Sequence, residues 1–399
     1  MGEAKVSGGY GAKLVPLLLA GWKDRLAGRS ARANARWGWI RRPPGEGRKV
    51  IWFRAGGDPD SVRLGVELLG AVRQKRLDAR LALTFEWDYP EILEERVRGM
   101  RQIGLGYGPA DRPAVVRRVL KRLDPAGVVF VGTSIPPHLF QGLRERRIPM
   151  IAFNTPPDPD PWGIEAVYPT TPSERERWKA AGFAGGLGFA ADPMALFALS
   201  QSDTTLVALV SQNSEETLSV WWWHGCDPAR AQAFAEAWGQ SSAAQAGVLF
   251  VSFAQGARAP SRGRRWRGGL QAISQWRRSA LAPGTVMFAD DHHWLAAIAS
   301  AASGIHVDCR DRVALWQAMA GGSPLSLSPD AADERTQGGD TAPDVRAGSP
   351  PEILEHWTAW QMDPLSARQR GDAWRRRFWD ERRGVQRSVD DFVNRVYEW

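Results

Sequence analysis

Residues 48–85 read RKVIWFRAGGDPDSVRLGVELLGAVRQKRLDARLALTF, and the fold is decided by how they are divided. The run Val50–Phe53 is apolar without polar alternation. It stops in a small-residue loop that carries Asp58 and Asp60, and a helical period begins at Ser61. A strand with no polar face is covered on both sides, and a helix following at once returns the chain across a parallel sheet. A second apolar run, ARLALTF, then starts the unit again.

Working outward, the alternation continues through PEILEERVRGM, PAVVRRVLKRL, GVVFVGT, PPHLFQGLRERR and PMIAFN. This predicts an open α/β domain over residues 49–165, closed by the Pro-rich break NTPPDPDPWG. A helix, SERERWKAAGF, and a glycine stretch fill a crossover over 166–198. A second series follows: TTLVALVSQ (strand), DPARAQAFAEAW (helix), GVLFVSFA (strand), GLQAISQWRRSAL (helix), GTVMFAD (strand), HHWLAAIASA (helix), GIHVDC (strand) and RVALWQAMA (helix). It predicts a second α/β domain over 199–350, with a polar, mobile loop at 328–350 and Trp- and Arg-rich helices at 351–399. The expected fold is α/β, two doubly wound Rossmann-like domains facing a cleft, of the GT-B type. Nucleotide-sugar glycosyltransferases of the GT-B type, periplasmic binding proteins and some epimerases share the architecture of two sequential doubly wound domains with a cleft. Ligands in such sheets sit at the carboxyl ends of the strands, which directs attention to the loops after Phe53, Val131, Phe153, Val210 and Phe253.

Bulk composition narrows the class. At 399 residues the chain exceeds one ordinary core. With 43% hydrophobic and 24% charged residues it is neither disordered nor fibrous. Cys226 and Cys309 are too few for a disulfide framework and lack zinc-site spacing, which fits a reducing, cytosolic compartment. The formal charge of +8 lies wholly in the first 50 residues, with 11 basic and three acidic side chains. The rest balances to zero, so no nucleic-acid partner is expected; the excess marks a basic N-terminal arm, residues 1–48. Its apolar part, Leu14–Trp22, is shorter than the ~20 residues of a spanning helix. It contains Pro16 and has no leader-type cleavage site. Leu, Trp and Arg over residues 13–42 suit an anionic membrane interface, and equally a helix packed on the first domain with a solvated basic face.

Several segments resemble the 3-deoxy-D-manno-octulosonic acid (Kdo) transferases. RSARANARWGW with RKVIWFRA is similar to that family's basic start and first strand. Tyr107-Gly-Pro109-Ala-Asp111-Arg-Pro113 matches its Tyr-x-Pro-x-Asp-x-Pro signature, the one specific element of the resemblance. RRIPMIAFN ends at Asn154 as the family's strand does, TPSERERWKAAGF resembles its crossover helix, and LVALVSQNSEETL its Ser-Thr-His-x-Gly-Glu-Glu turn. The resemblance covers most of residues 30–330. It implies an inverting transfer from a CMP-activated, Kdo-like sugar to a lipid A precursor or related lipid-linked acceptor, without metal or cofactor. It also implies a peripheral position on the cytoplasmic face of the inner membrane.

There are departures. The family's His-Ala-x-Ser-x-Gly-Glu loop, whose glutamate is its proposed base, stands here as Arg54-Ala-Gly-Gly-Asp58-Pro-Asp60. Its Glu-x-Glu-x-Trp-Pro-Asn loop has become Gly132-Thr-Ser-Ile-Pro-Pro-His138, without either acid. Its Asn-Ala-Arg turn has become Asn154-Thr-Pro156, and its Gly-Gly-His-Asn stretch is absent. A catalytically degenerate paralogue acting as a binding or scaffold protein, and a GT-B transferase with another donor, both remain open.

Asp60 falls at the position of the family's base and is the expected catalytic residue; Asp58 or Asp60 also reads as a helix cap. Arg54 and Asn154 are expected to bind substrate on the acceptor side. Ser211 and Asn213, in a turn with capping-box character, are candidates for phosphate, as are Arg258 and Arg262 in the five-arginine loop ARAPSRGRRWRGG. Asp290-Asp-His-His293 lacks a third ligand cluster, so no metal is expected. Trp221-Trp-Trp-His224 reads as core or interface, and Gly104-Leu-Gly106-Tyr-Gly108 is no dinucleotide fingerprint.

Overall fold

A computed structural model of the chain describes residues 14–45, 50–157, 161–198, 218–254, 271–275, 281–291, 294–332 and 345–399. It divides into two units, one of residues 1–193 with 384–399, the other of residues 194–383.

In the first unit two helices, α1 (Leu14–Leu26) and α2 (Ser30–Arg36), precede a seven-stranded parallel sheet. Its strands are β1 (Val50–Ala55), β2 (Arg80–Phe85), β3 (Ile103–Tyr107), β4 (Pro125–Val131), β5 (Met150–Phe153), β6 (Ile164–Tyr168) and β7 (Gly186–Leu187), in the order β3-β2-β1-β4-β5-β6-β7. The helices α3 (Pro59–Lys75), α4 (Pro90–Val97), α5 (Pro113–Leu123), α6 (Pro137–Glu145) and α7 (Pro172–Ala180) connect them. Every residue of β1 is buried, as its unbroken apolar run demands. Trp52 resolves its one polar atom by donating Nε1–H to Thr84 Oγ1 on β2 at 2.9 Å. Helix α5 shows the complementary logic: Val115, Val116, Val119, Leu120 and Leu123 recur at helical spacing and are all buried.

The sheet runs past the expected domain end at residue 165. IEAVY pairs with β5 as β6, and α7, expected in the crossover, belongs to this unit. The chain end also returns here. Phe392 packs edge-on against Phe53 and Phe153, and Trp399 lies over Gly127, where a Cβ would have no room.

The second unit holds another seven-stranded parallel sheet: β8 (Ser219–Gly225), β9 (Gly247–Phe253), β10 (Gln271–Ala272), β11 (Val286–Ala289), β12 (Gly304–Val307), β13 (Leu325–Leu327) and β14 (Val345–Arg346). The order is β10-β11-β9-β8-β12-β13-β14. Helices α8 (Pro228–Trp238), α9 (Trp294–Ala301), α10 (Arg312–Gly321), α11 (Pro350–Met362) and the start of α12 (Pro364–Tyr397) accompany it. Its core is aromatic. Trp221 stacks on Trp357 at 4.8 Å, and Phe234 and Trp238 meet Trp357 edge-on. The Trp221–Trp223 triplet is therefore core.

The helix expected over 269–281 is not formed at its described residues. Gln271 and Ala272 pair with Met287 and Phe288 as an edge strand, and Ile273–Gln275 make a 3-10 turn. Ladder pairing and burial of Ile273 override the local helical pattern. Of the expected loop at 328–350, residues 333–344 lie outside the described residues, and Val345–Arg346 extend the sheet. The strand expected at 204–212 also lies outside them. Both sheets are doubly wound, as the sequence predicts.

Candidate functional site

In a doubly wound sheet the crevice opens where strand order reverses, at the carboxyl ends. In the first sheet that point lies between β1 and β4. The two loops there are clamped. Gly56 N–H donates to Val131 O at 2.9 Å, and Ser61 Oγ–H lies within hydrogen-bonding reach of Gly132 O at 3.1 Å. Neither Gly56 nor Gly132 has space for a Cβ, and Gly132 adopts a φ of +60°. Close backbone approach thus accounts for the glycines.

The two acids of the first loop have distinct partners. Asp58 is the N-cap of α3: it accepts from Ser61 N–H at 2.8 Å and from Ser61 Oγ–H at 2.5 Å, with Pro59 at the first helical position. Asp60, the expected base, sits in the first turn of α3 and pairs with Arg63 at 3.2 Å.

A third acid, which the motif comparison passed over, stands beside them. Glu86 follows β2, the neighbour of β1, and its carboxyl lies against Gly57. Burial raises its pKa above the ordinary carboxylate range; Arg54, Arg32 and Arg36 pull the other way, and Asp58 adds to the rise. Tyr89 closes this side by donating its hydroxyl to Gly57 O at 2.8 Å. Arg54, expected as a substrate ligand, is buried on β1 within electrostatic reach of Glu86. Arg32 is buried as well, 3.8 Å over the Trp87 ring, with 3.7 Å to the buried Asp24 that also holds Arg36 at 2.8 Å. Its Nε has no hydrogen-bond partner among the described residues. A raised-pKa carboxyl amid arginines and an indole face suits proton abstraction from a hydroxyl near an anionic group.

Asp111, from the Tyr-Pro-Asp-Pro motif, has a structural task. Its carboxylate accepts from His138 N–H at 3.1 Å and Leu139 N–H at 2.8 Å, capping α6 from a distant loop. Pro136, at the N-cap of α6, has no side-chain acceptor of its own. Asn154 ends β5 with φ +47° and accepts from Thr170 Oγ1–H at 3.3 Å. It lies at the carboxyl edge of the sheet, as does Arg54.

In the second sheet order reverses between β8 and β12. His224, fully buried at the end of β8, shares a hydrogen bond with Ser252 Oγ at 2.7 Å through Nδ1 and sets Nε2 3.3 Å from Asp311. Asp311 also caps α10 through Ala314 N–H at 3.0 Å. Asp308 binds Arg230 at 2.6 Å. Ser211, Asn213, Arg258 and Arg262 lie outside the described residues, as do His292 and His293. No group of three or more metal-capable side chains converges among the described residues.

Comparisons place the chain among known proteins. Residues 31–156 match the family model described as 3-deoxy-D-manno-octulosonic-acid transferase (kdotransferase). No curated protein matches the chain by sequence. Among solved structures, HepE of Anabaena in complex with UDP-glucose is 12% identical, with a TM-score of 0.51 over 88% of this chain and 100% of its own. The UDP-GlcNAc 2-epimerase of Neisseria meningitidis bound to UDP-GlcNAc is 10% identical, with a TM-score of 0.54 over 85% of this chain and 100% of its own. At these identities the likeness shows the fold, which is the GT-B type.

Proposed function

We propose that this chain, related to the Kdo transferases through residues 31–156, is a glycosyltransferase that moves a CMP-activated, Kdo-like sugar onto a lipid A precursor or similar lipid-linked acceptor. The observation that carries the reading is a coincidence of place. The matched segment ends in the unit whose sheet edge gathers Glu86, Arg54 and Arg32, the groups an acceptor hydroxyl beside an anion requires. In this mechanism Glu86 takes the proton of the acceptor hydroxyl as its oxygen attacks the anomeric carbon, and the nucleotide departs with the bonding electrons from the opposite face. The sugar configuration inverts. Arg54 and Arg32 hold an acidic group of the acceptor, and Asn154 orients it from the neighbouring strand end. Asp60, paired with Arg63, tunes the field around the loop. On the donor side, Ser211, Asn213, Arg258 and Arg262 are assigned to the nucleotide by sequence alone.

No helix among the described residues is long and apolar enough to cross a membrane. Helix α1 instead exposes Val15, Leu18, Leu19, Trp22 and Leu26, with Lys23 and Arg25 in its last turn. This pattern supports docking of α1 on the anionic cytoplasmic face of an inner membrane, beside the lipid-linked acceptor.

A second reading, a non-catalytic binding paralogue, is favoured by the engagement of both loop acids, Asp58 as a cap and Asp60 in an ion pair. Thermal unfolding with CMP, CDP, UDP and GDP separates the readings. A nucleotide at about 100 times its Kd stabilises the folded chain by about 2.7 kcal/mol. Stabilisation by CMP, lost in an Arg258→Ala/Arg262→Ala variant, is expected. Stabilisation by another nucleotide alone reassigns the donor, and none with any nucleotide leaves the binding paralogue.

A further inference from the structure

The chain's two cysteines, 83 positions apart in sequence, meet at the switch point of the second sheet. The ladder pairs His224 with Val307, and Asp308 N–H donates to His224 O at 2.7 Å. Carried two steps further, the same parallel register sets Cys226, just past β8, opposite Cys309, just past β12. Adjacent strands run ~4.8 Å apart. That lies inside the about 4.4–6.8 Å between Cα atoms that a disulfide accepts. The Cys309 thiol is the largest influence on the Cys226 thiol, and Cys226 is exposed while Cys309 is partly covered.

We propose that Cys226 and Cys309 form a redox-active dithiol which small-molecule disulfides convert to a disulfide across the ligand crevice of the second sheet. The two sulfurs have different parts. The interaction with Cys309 holds the Cys226 thiol below its usual range, against burial and the carboxylates of Asp311 and Asp308. The same interaction, with burial, pushes Cys309 up. The exposed Cys226 is thus the attacking thiolate, and Cys309 the resolving thiol. Cys226 sulfur attacks one sulfur of the small disulfide, forming a mixed disulfide and expelling one thiolate. Cys309 then loses its proton to solvent and attacks Cys226 sulfur, expelling the second small thiol. Two protein thiols are oxidised and one small disulfide is reduced to two thiols.

The test is intact-mass analysis of the reduced, full-length protein after incubation with oxidised glutathione. The wild type is expected to lose two hydrogens, to carry no glutathione, to resist alkylation at both cysteines, and to recover with dithiothreitol. Cys309→Ser should stop at the mixed disulfide, with one glutathione on Cys226. A wild type that retains glutathione on Cys226, keeps two alkylatable thiols, or links into dimers overturns the proposal.

Discussion

Asp111→Ala should destabilise the first unit by about 2–4 kcal/mol, because the side chain removed satisfies two backbone donors at once. The donors are the N–H groups of His138 at 3.1 Å and Leu139 at 2.8 Å, the second and third residues of α6. Helix-start amides have no partner within their own helix. Asp111 is only 9% exposed, and the Leu139 bond is buried, so water replaces the carboxylate poorly. A buried donor left unmet costs about 1–3 kcal/mol. The lost carboxylate at the helix start adds about 0.5 kcal/mol. Asp111→Asn keeps one acceptor and turns an amide N–H₂ toward the other donor, so about half the loss is expected. Urea unfolding gives the free energy, and hydrogen exchange across residues 137–145 reads the local effect. Both variants should show faster exchange there, with alanine the worse. An alanine variant as stable and as protected as the wild type would refute the capping assignment, and activity lost without any change in stability would give this motif residue a catalytic role.

The other predictions concern the first sheet's edge and the returning chain end. Glu86→Gln should lower kcat by about 10²-fold or more. In the wild type, activity should rise with pH through the raised Glu86 pKa, because the base works ionised, and the Gln variant should lose that limb of the profile. A Gln variant with normal kcat would remove Glu86 from the chemistry. Asp58→Ala should cost about 1 kcal/mol as a lost cap. Asp60→Asn, a partly exposed ion pair, should change stability by less than about 0.5 kcal/mol and kcat by only a few-fold. A drop of two orders of magnitude in the Asp60 variant would restore it as the base. Tyr168 donates to Asp391 at 2.6 Å. Burial raises the Asp391 pKa, but the hydrogen bonds from Tyr168 and Arg395 outweigh it and hold the carboxyl low. The bond's contribution is full above the unfolded carboxylate pKa and is lost as pH falls through the depressed folded value. Tyr168→Phe should therefore be less stable than wild type at neutral pH, with the gap closing in acid; a gap independent of pH would contradict this.

Much of the fold is legible because burial on both faces writes strands as continuous apolar runs: VIWF, LALTF and VVFV each mark a central strand. The edges are not legible in that way. IGLGY has two glycines and a single fully buried residue, so β3 lacks an apolar run, and IEAVY follows a proline break that reads as a domain end. QA at 271–272 is a strand only because β11 lies beside it. The site divides similarly. The loop after β1 was visible from strand, glycines and helix, but which acid caps the helix depends on the Ser61 geometry. Glu86 carried a usable signal, an acid directly after the strand beside β1. Its placement against Gly57 and among arginines from α2 is tertiary information. The cap made by Asp111 spans 27 and 28 positions to its two donors, and no local pattern announces it.

The central claim, sugar transfer from a CMP-activated donor with Glu86 as base, is tested most directly by one assay. The purified chain is supplied with CMP-Kdo and a lipid A precursor in anionic vesicles, and CMP release is followed together with the mass of the lipid. Stoichiometric CMP release and a lipid heavier by one Kdo residue, suppressed about 10²-fold or more in Glu86→Gln, is the predicted result. An unchanged lipid with the folded wild-type protein would contradict it.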